Sequence, residues 1–543
     1  MKAHRTLATL ALLTVCWGCE TAPSSDPGPL GTPALREALF DSILAWTADR
    51  EALSPVKNAA LAFDPLAAMA SQREAVVGAS SEEELFYALL RMSNARRDRH
   101  LSVYLVDGGL SLPYAAGIPV WNQDETPEPP SAPIRVLPDF AEDGPAYFIA
   151  DVAEGPSVED PLPALGDQVV SVNGLGPVEL EAMGRWHIRH SSLSGLRWKL
   201  AETLSRNTAL LSPEFRRSVL ELEVRRADGQ TATFSLSYVD PGELEWTGWA
   251  EPFYEGFALT ESNPTFDLYL PDDGRKIVLL QWHRFSSTLV QDVDRLMQLA
   301  QARGLLDRAV IFDATRSGGG SLGPYAVQRI QPRPFKTTFG TLQISDVIEA
   351  FVADRREAFQ ARRVFDGDGP ETVDDGTWLM NWLENVVLKD LARGREVTDP
   401  VPFKLAHAPM DSDGILQPAA THFRGPLVVF AGPHGGSHLD QFVSIVADNE
   451  LGPIMGMEAG GYSNTWEWEE VLFYPGTDQP VVGFMWNIGH TIRPNGEILE
   501  GNPARVTHRL PLTSENAGDY YGLLMERTLA YLDSIGFQWR VPE

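Results

Sequence analysis

The sequence predicts a mixed α/β fold, and three observations along its 543 residues indicate that class. Residues 34–97 repeat apolar side chains every three or four positions, which is typical of amphipathic helices. Residues 127–240 contain short strand patterns separated by Pro, Gly and Asn turns. Over residues 241–543, and most clearly beyond Lys276, buried strand patterns alternate with helix patterns, as in a sheet covered by helices.

The first 19 residues predict a lipoprotein signal peptide. The apolar run over residues 7–15 is well below the roughly 20 residues that a membrane helix needs. Cys19 then precedes a linker rich in Pro, Ser and Gly over residues 20–33, as in a bacterial lipobox. We therefore expect lipidation at Cys19 and a lipid-anchored location in the bacterial cell envelope, where Glu20 favours the outer membrane. A soluble secreted protein with a cysteine near its cleavage site is the alternative.

The composition excludes several classes of protein. Acidic residues outnumber basic ones by 74 to 44, and the net charge of -30 argues against a nucleic-acid partner and favours basic or unfolded substrates. With 14 Trp and 24 Phe, the chain is too aromatic for an acidic disordered protein. Both cysteines, Cys16 and Cys19, lie in the signal segment, so the mature chain has no disulfide and no cysteine nucleophile. Metal-binding histidine motifs and a glycine-rich phosphate loop are missing, so we expect no metal and no cofactor.

The region from 34 to 97 predicts an N-terminal helical bundle. Its segment SEEELFYALLRMSN begins with Ser81 as a helix cap, followed by an acidic first turn. The next region, 98–126, predicts a strand, because the residues LSVYLV alternate in character directly after His100.

Residues 127–240 resemble a PDZ domain of the kind found inside bacterial proteases. The best match is GDQVVSVNG, residues 166–174, which predicts a strand ending in an Asn-Gly turn. A hairpin is predicted around Asp228 and Gly229.

Residues 241–543 predict an α/β core. KIVLLQW, DRAVIFD and GPLVVFAG are typical of buried strands, and TLVQDVDRLMQLAQ and LDQFVSIVADN are typical of amphipathic helices. An insert near residues 321–420 interrupts this alternation, and its segment VADRREAFQARRVF predicts a further helix.

Ser437 is the candidate nucleophile. It lies in AGPHGGSHLDQF, between the end of a buried strand pattern and the start of a helix pattern. A serine in this position can stand exposed at the strand end, and the helix dipole favours an anion beside it. A serine before a helix is also a common N-cap, and the two interpretations remain open at this point.

His100 is the candidate general base, because a serine hydroxyl near neutral pH needs an adjacent base to take its proton. The preceding Asp98 favours His100 over the other histidines. His434 and His438 are rivals because they lie close to Ser437 in the sequence. The sequence favours His100 over three further histidines, namely His187, His190 and His407.

Four segments together resemble the tail-specific (C-terminal processing) and tricorn-type serine peptidases, and their order along the chain carries the resemblance. DATRSGGG is similar to the family's DLRxNPGG turn, and AGPHGGSHLDQF is similar to the tricorn-type nucleophile segment. The residues DRH match the family's D-x-H strand, and NGEILEGNPARVTHRLPL resembles its xGxxIEGxGVxPDxxV strand. The resemblance implies a crotonase-like ββα protease core that carries a PDZ-like insert.

The resemblance also implies roles for individual residues. Ser437 corresponds to the nucleophile, His100 to the base, and Glu500 to the glutamate that orients the base. The backbone amides of Gly319 and His438 correspond to the oxyanion hole. For Glu500, an ordinary surface glutamate in a turn is the alternative. A protein or peptide would be the substrate, and the oligomeric state stays open.

The absence of a lysine after Ser437 favours the Ser-His-Glu branch of the family. Tail-specific members pair the serine with a lysine about 25 residues later, but no lysine follows Ser437 in this chain. The chain also lacks a GxSxG elbow around Ser437, which argues against a lipase. We therefore expect an exported serine endopeptidase. A catalytically inactive family member that binds an apolar ligand or peptide is the alternative, and a structural surface lipoprotein is a third possibility.

Overall fold

The computed structural model describes residues 28–123, 126, 128–141, 144–159, 161–360, 377–405 and 407–540. The predicted signal peptide and its lipidation site, Cys19, lie outside the described residues. Several sheets and many helices are present, so the predicted mixed α/β class is confirmed. Among the described residues, no helix combines the length and the apolar composition that crossing a membrane requires.

The N-terminal part of the chain is helical, as its apolar periodicity predicts. The cap at Ser81 is present, because its side chain accepts the backbone N–H of Glu84 over 3.2 Å. A similar cap begins the second helix, where Ser54 Oγ accepts the backbone N–H of Lys57. The helices are α1 (Pro33–Arg50), α2 (Pro55–Ala60), α3 (Pro65–Ala70), α4 (Arg73–Gly78) and α5 (Glu82–Asn94).

The strand predicted after His100 is shorter than its alternating pattern suggests. It comprises only β1 (Val103–Tyr104), which pairs antiparallel with a strand late in the chain, β19 (Pro480–Asn487). The third strand of this small sheet is β18 (Glu467–Phe473), which pairs with β19.

A six-stranded antiparallel sheet follows, and its turns lie where the sequence places them. Asn173 and Gly174 have φ angles of 50° and 85°, and Gly229 has a φ of 83°, as tight hairpin turns require. The strand order is β2-β3-β4-β5-β6, and β7 pairs with β3. The elements are β2 (Ile134–Pro138), β3 (Tyr147–Glu154), β4 (Gln168–Val172), α6 (Pro177–His187), α7 (Leu193–Leu204), β5 (Val219–Arg225), β6 (Thr231–Ser237) and β7 (Glu245–Trp246).

The largest sheet has seven strands in the order β21-β17-β16-β11-β10-β9-β8. Its central strands are parallel and fully buried, which explains their continuous apolar sequences. The edge strands β8 and β9 are antiparallel. The elements are β8 (Phe257–Ser262), β9 (Phe266–Pro271), β10 (Ile277–Trp282), α8 (Leu289–Ala302), β11 (Ala309–Asp313), α9 (Gly323–Ile330), β16 (Leu427–Ala431), α13 (His438–Asp448), β17 (Ile454–Gly456), β21 (His508–Arg509) and α14 (Tyr520–Ser534).

The predicted insert contains short elements between α9 and β16. The helix predicted from VADRREAFQARRVF is present up to Gln360, and the last five residues of that segment lie outside the described part of the chain. The elements are β12 (Phe335–Lys336), β13 (Phe339–Gly340), α10 (Ile348–Gln360), α11 (Thr377–Trp382), a π-helical turn (Leu383–Val387), α12 (Leu388–Ala392), β14 (Val401–Pro402) and β15 (Ile415–Leu416), and β20 (Thr491–Ile492) pairs with β13.

Candidate active site

Ser437 lies at the junction between β16 and α13, and its backbone is strained. Its φ of 62° and ψ of -126° lie in a region that residues with a Cβ atom rarely adopt. The backbone N–H of Ser437 donates to the carbonyl of Tyr462 over 2.6 Å, which helps to hold this geometry. The Ser437 side chain makes no capping hydrogen bond to α13. The helix-cap interpretation therefore does not account for this serine, whose hydroxyl remains available for other chemistry.

Gly319 packs directly against Ser437. A Cβ atom at Gly319 would lie 2.6 Å from Ser437 Cβ and 3.0 Å from Ser437 Oγ, so only glycine fits without displacing the serine. His438 is the first residue of α13, where a helix leaves its amide without an internal partner. Across the described ranges, neither the Gly319 amide nor the His438 amide donates a hydrogen bond. Such a pair of amides can stabilise an oxyanion.

The two histidines nearest to Ser437 in the sequence direct their rings to other partners. His438 Nε2 accepts the backbone N–H of Gly323 over 2.6 Å, and burial lowers the pKa of His438 to about 3. His434 Nδ1 lies 2.9 Å from Glu202 Oε1 and 3.0 Å from Trp198 Nε1. Neither ring is therefore placed to serve as a base for Ser437. Burial also lowers the pKa of each of the remaining candidates to about 4, and these are His187, His190 and His407.

His100 lies between α5 and β1, with 19% of its side chain exposed. Its backbone N–H donates to Asp98 Oδ1 over 2.9 Å, and its Nδ1 lies 4.0 Å from the same oxygen. This buried Nδ1 has no hydrogen-bond partner among the described residues. Burial lowers the pKa of His100 to about 4, against the attraction of Asp98. The imidazole is therefore neutral at pH 7 and can accept a proton.

Glu500 is buried beside His100. Three side-chain atoms, namely a carboxylate oxygen of Asp98, a ring nitrogen of His100 and a carboxylate oxygen of Glu500, all lie within 4.8 Å of one another. Glu500 Oε2 accepts the backbone N–H of Ser463 over 3.0 Å. Burial, together with the negative charge of Asp98, raises the pKa of Glu500 to about 7, although the charge of Lys57 opposes the shift. This carboxyl therefore titrates close to neutral pH.

The segment around Glu500 is a turn, so the strand that the family resemblance implies is absent at Glu500 and is present only later in the same stretch, as β21 (His508–Arg509). The backbone N–H of Asn502 donates to the carbonyl of Leu499 over 2.7 Å, and Gly501 has a φ of 75°. Glycine adopts this conformation without steric cost, so it reverses the chain here. The alternative for Glu500 is an ordinary surface glutamate in a turn. Glu500 does lie in a turn, but its side chain is buried.

Lys57, on α2, is a member of the site that the sequence did not indicate. Its ammonium lies 3.0 Å from Glu500 Oε1 and 3.9 Å from Asp98 Oδ2, and all three side chains are buried. Burial lowers the pKa of Lys57, but the charges of Glu500 and Asp98 outweigh burial and raise it. Gly501 makes this approach possible, because a side chain there would collide with Lys57 Cβ. The one sequence feature that could have pointed to Lys57 is weak: it is the only lysine between residues 34 and 97.

The spacing of Asp98, His100 and Glu500 would suit a metal ion, but their surroundings do not. The Lys57 ammonium already contacts both carboxylates. A second cation placed among them would be repelled by this fixed charge. We therefore interpret the four residues, which we call the base cluster, as an ion-pair network around a histidine.

Residues 460–464, which we call the bridge segment, connect Ser437 to the base cluster. The ring of Tyr462 in this segment lies 5.0 Å from the His100 ring, while its carbonyl accepts the Ser437 amide. No sequence motif drew attention to this segment. Its hydrogen bonds are Gly460 N to Gly435 O, Ser437 N to Tyr462 O, Gly501 N to Gly461 O, Tyr462 N to Asp440 Oδ2, Ser463 N to Glu500 Oε2 and Asn464 Nδ2 to Asp98 Oδ2.

No protein-family model matches the chain, and no curated protein matches it. Solved structures do match. The crystal structure of mature CPAF aligns with a TM-score of 0.67 at 17% identity, covering 91% of this chain and 96% of that chain. Mature CPAF complexed with lactacystin aligns with a TM-score of 0.66 at 17% identity, covering 92% and 98%. The photosystem II D1 C-terminal processing protease aligns with a TM-score of 0.39 at 12% identity, covering 88% and 93%.

At these identities the likeness to CPAF establishes a shared fold, and it extends over nearly the whole of both chains.

Proposed function

We propose that this protein is an exported serine endopeptidase that uses Ser437, His100 and Glu500. The observation that carries the proposal is the state of Ser437. Its hydroxyl does not cap the helix, its backbone is strained, and the unengaged Gly319 amide belongs to a residue packed against it. Strain of this kind at a strand-to-helix turn is typical of nucleophilic serines.

In the proposed reaction, Ser437 Oγ attacks the carbonyl carbon of a peptide bond while His100 takes its proton. The carbonyl oxygen becomes an oxyanion, and the amides of Gly319 and His438 stabilise it. His100 then gives the proton to the amine that leaves, and an acyl-enzyme remains on Ser437. Water repeats the same steps to release the acid and restore the serine.

Glu500 would orient His100 and stabilise its protonated form. In the described conformation, the atoms of His100 and Glu500 are within 4.8 Å, and the Nδ1 of His100 still lacks a partner. Hydrogen bonds of catalytic groups commonly tighten only when substrate is bound. Lys57 would act through Glu500 as a positioning residue, because its ammonium favours the ionised carboxylate.

The proposal can be tested with a fluorophosphonate probe, which reacts with activated serines. We expect labelling of the wild-type protein and its complete loss in Ser437→Ala. Ser444→Ala is a matched control, because it removes another serine of the same helix and should still be labelled. Wild-type protein that is folded but resists labelling, and that binds an apolar ligand or peptide instead, would indicate the catalytically inactive alternative.

The finer features of the architecture belong to the same proposal. We infer that the large sheet with its flanking helices is a crotonase-like protease core, and that the six-stranded sheet is a PDZ-like insert that holds part of the peptide. We also infer a lipid anchor at Cys19 in the cell envelope. Labelling with radioactive palmitate tests the anchor. We expect the wild type to incorporate the label and Cys19→Ser not to, and equal incorporation would refute the anchor.

A further inference from the structure

A cavity of about 670 Å³ opens beside the base cluster. Arg99 and Arg189 line it, and they lie directly against His100. Arg99 is the neighbouring residue in the chain, and Arg189 Nη1 is 3.5 Å from the His100 carbonyl oxygen. Tyr462 also lines the cavity and contacts the His100 ring. A molecule in this cavity would therefore lie next to the candidate catalytic residues.

Three guanidinium groups in this cavity lack a carboxylate partner. Arg189 donates to Ser102 Oγ over 3.0 Å, and Arg99 donates to the carbonyl of His434 over 3.0 Å, and both acceptors are neutral. Within the ranges that the structure describes, neither these two arginines nor Arg206 forms an ion pair. The other lining cation, Lys199, is paired with Glu202 over 3.1 Å.

This excess of positive charge is unexpected in a chain with 74 acidic and 44 basic residues. Arg99 and Arg189 are half-buried, whereas Arg206 is exposed at the cavity. A half-buried cation without a counter-ion loses hydration and gains no ion pair in return. Of the described lining residues, Glu128 and Glu202 are acidic, and Glu202 already pairs with Lys199 and contacts His434. A carboxylate supplied by a ligand would complete the pairing.

The walls of the cavity also contain apolar side chains, among them Val103, Ile118 and Leu210. A volume of this size is typical of a pocket that encloses a drug-sized molecule. The cavity therefore has room for a few side chains of a peptide. The lining thus suits an acidic group carried on an apolar or extended backbone, and not a free inorganic anion.

We infer that this basic cavity binds a carboxylate of the peptide substrate, close to the bond that is cleaved. The inference rests on the proposed function, and it names acidic peptides as the preferred substrate class. It reverses the preference for basic substrates that the net charge of the chain suggests, because local pairing decides what is bound, whereas distant charges are screened by salt.

The binding test uses the Ser437→Ala protein and dye-labelled peptides of equal length in physiological salt. Amidated peptides containing glutamates, glutamines or lysines are compared, together with a glutamine peptide that has a free carboxyl terminus. We expect the glutamate peptide to bind about tenfold more tightly than its glutamine counterpart, and the lysine peptide to bind least. A similar gain for the free terminus alone would assign the terminal carboxylate as the ligand. Equal affinity for all four peptides would overturn the inference.

Arg206→Glu tests the cavity without altering the candidate catalytic residues, and Arg303→Glu is its control on an exposed position outside the cavity. We expect the first variant to weaken binding of the glutamate peptide about fivefold, and the second to leave it unchanged. Turnover by the wild type separates the two proposals. Cleavage without charge preference would refute the cavity alone, whereas charge-selective binding without any cleavage would refute the endopeptidase alone.

Discussion

On the nucleophile side of the candidate site, Ser437 is held by backbone geometry, whereas on the base side His100 is held by buried charges. Ser437 depends on a positive φ, on the close approach of Gly319, and on a hydrogen bond from its own amide to a carbonyl. His100 lies beside two buried carboxylates and the ammonium of Lys57.

The difference shows how each side is sensitive to change. Backbone geometry does not titrate. Substitutions that add bulk on the nucleophile side should therefore lower the reactivity of Ser437 by the same factor at every pH. The base side contains Glu500, whose pKa burial raises to about 7, so this side should respond to pH and to charge. Substitutions on the two sides should therefore have different signatures in the same assay.

The largest effect is expected from His100→Ala. Because Ser437 would lose the group that takes its proton, kcat should fall by about 10⁶-fold, and adding Ser437→Ala should cause little further loss. His434→Gln is the control, since its ring contacts Glu202 and Trp198 instead. Hydrolysis of a fluorogenic peptide measures both. If His434→Gln loses as much activity as His100→Ala, the assignment of His100 as the base is contradicted.

A smaller but still large effect is expected from Gly319→Ala. The added methyl group would lie 2.6 Å from Ser437 Cβ, so the serine must move, and the rate of fluorophosphonate labelling should fall about 100-fold. The loss should be the same at every pH. Gly318→Ala is a matched control in the same turn, where the nearest contact would be 3.7 Å. Equal labelling of the two variants, with both folded by circular dichroism, would contradict the described approach.

The smallest of the three effects is expected from Lys57→Met, and it should depend on pH. In the wild type, kcat/KM should decline as the pH falls through about 7, because Glu500 then becomes protonated. Removing the ammonium raises the pKa of Glu500 further, so the decline should begin at higher pH. We expect about a tenfold loss at neutral pH and recovery in alkaline buffer.

Lys57→Arg keeps the charge and should keep the wild-type pH profile at reduced activity. A loss in Lys57→Met that is equal at all pH values would show that Lys57 only supports the structure. Thermal melts of both variants are needed alongside, since breaking a buried ion pair typically costs about 3–5 kcal/mol of stability.

The nucleophile side was largely predictable from the sequence because its parts are contiguous. A buried strand pattern, a pair of glycines, Ser437 and a helix pattern lie within a single short stretch, and the structure reproduces that order. The strands and helices of the large sheet were predictable for the same reason, since each one carries its own periodicity.

The base side was predictable only in part. His100 and Glu500 were found through family resemblance, and the strand expected around Glu500 is a turn in the structure. Lys57 was missed because its partner lies 443 positions away, and PVKNAA has the pattern of an ordinary short helix. The bridge segment was missed because it acts mainly through backbone groups, which any sequence supplies.

The separation between Lys57 and Glu500 has a consequence for how the protein is made. Synthesis produces Lys57 first, then Ser437, and Glu500 after both. A nascent chain without Glu500 therefore lacks the carboxylate that completes the base, and it also lacks an anchor of the bridge segment that holds the Ser437 amide. Under the proposed activity, such a chain cannot digest itself or its neighbours in transit, and catalytic competence coincides with the completion of folding.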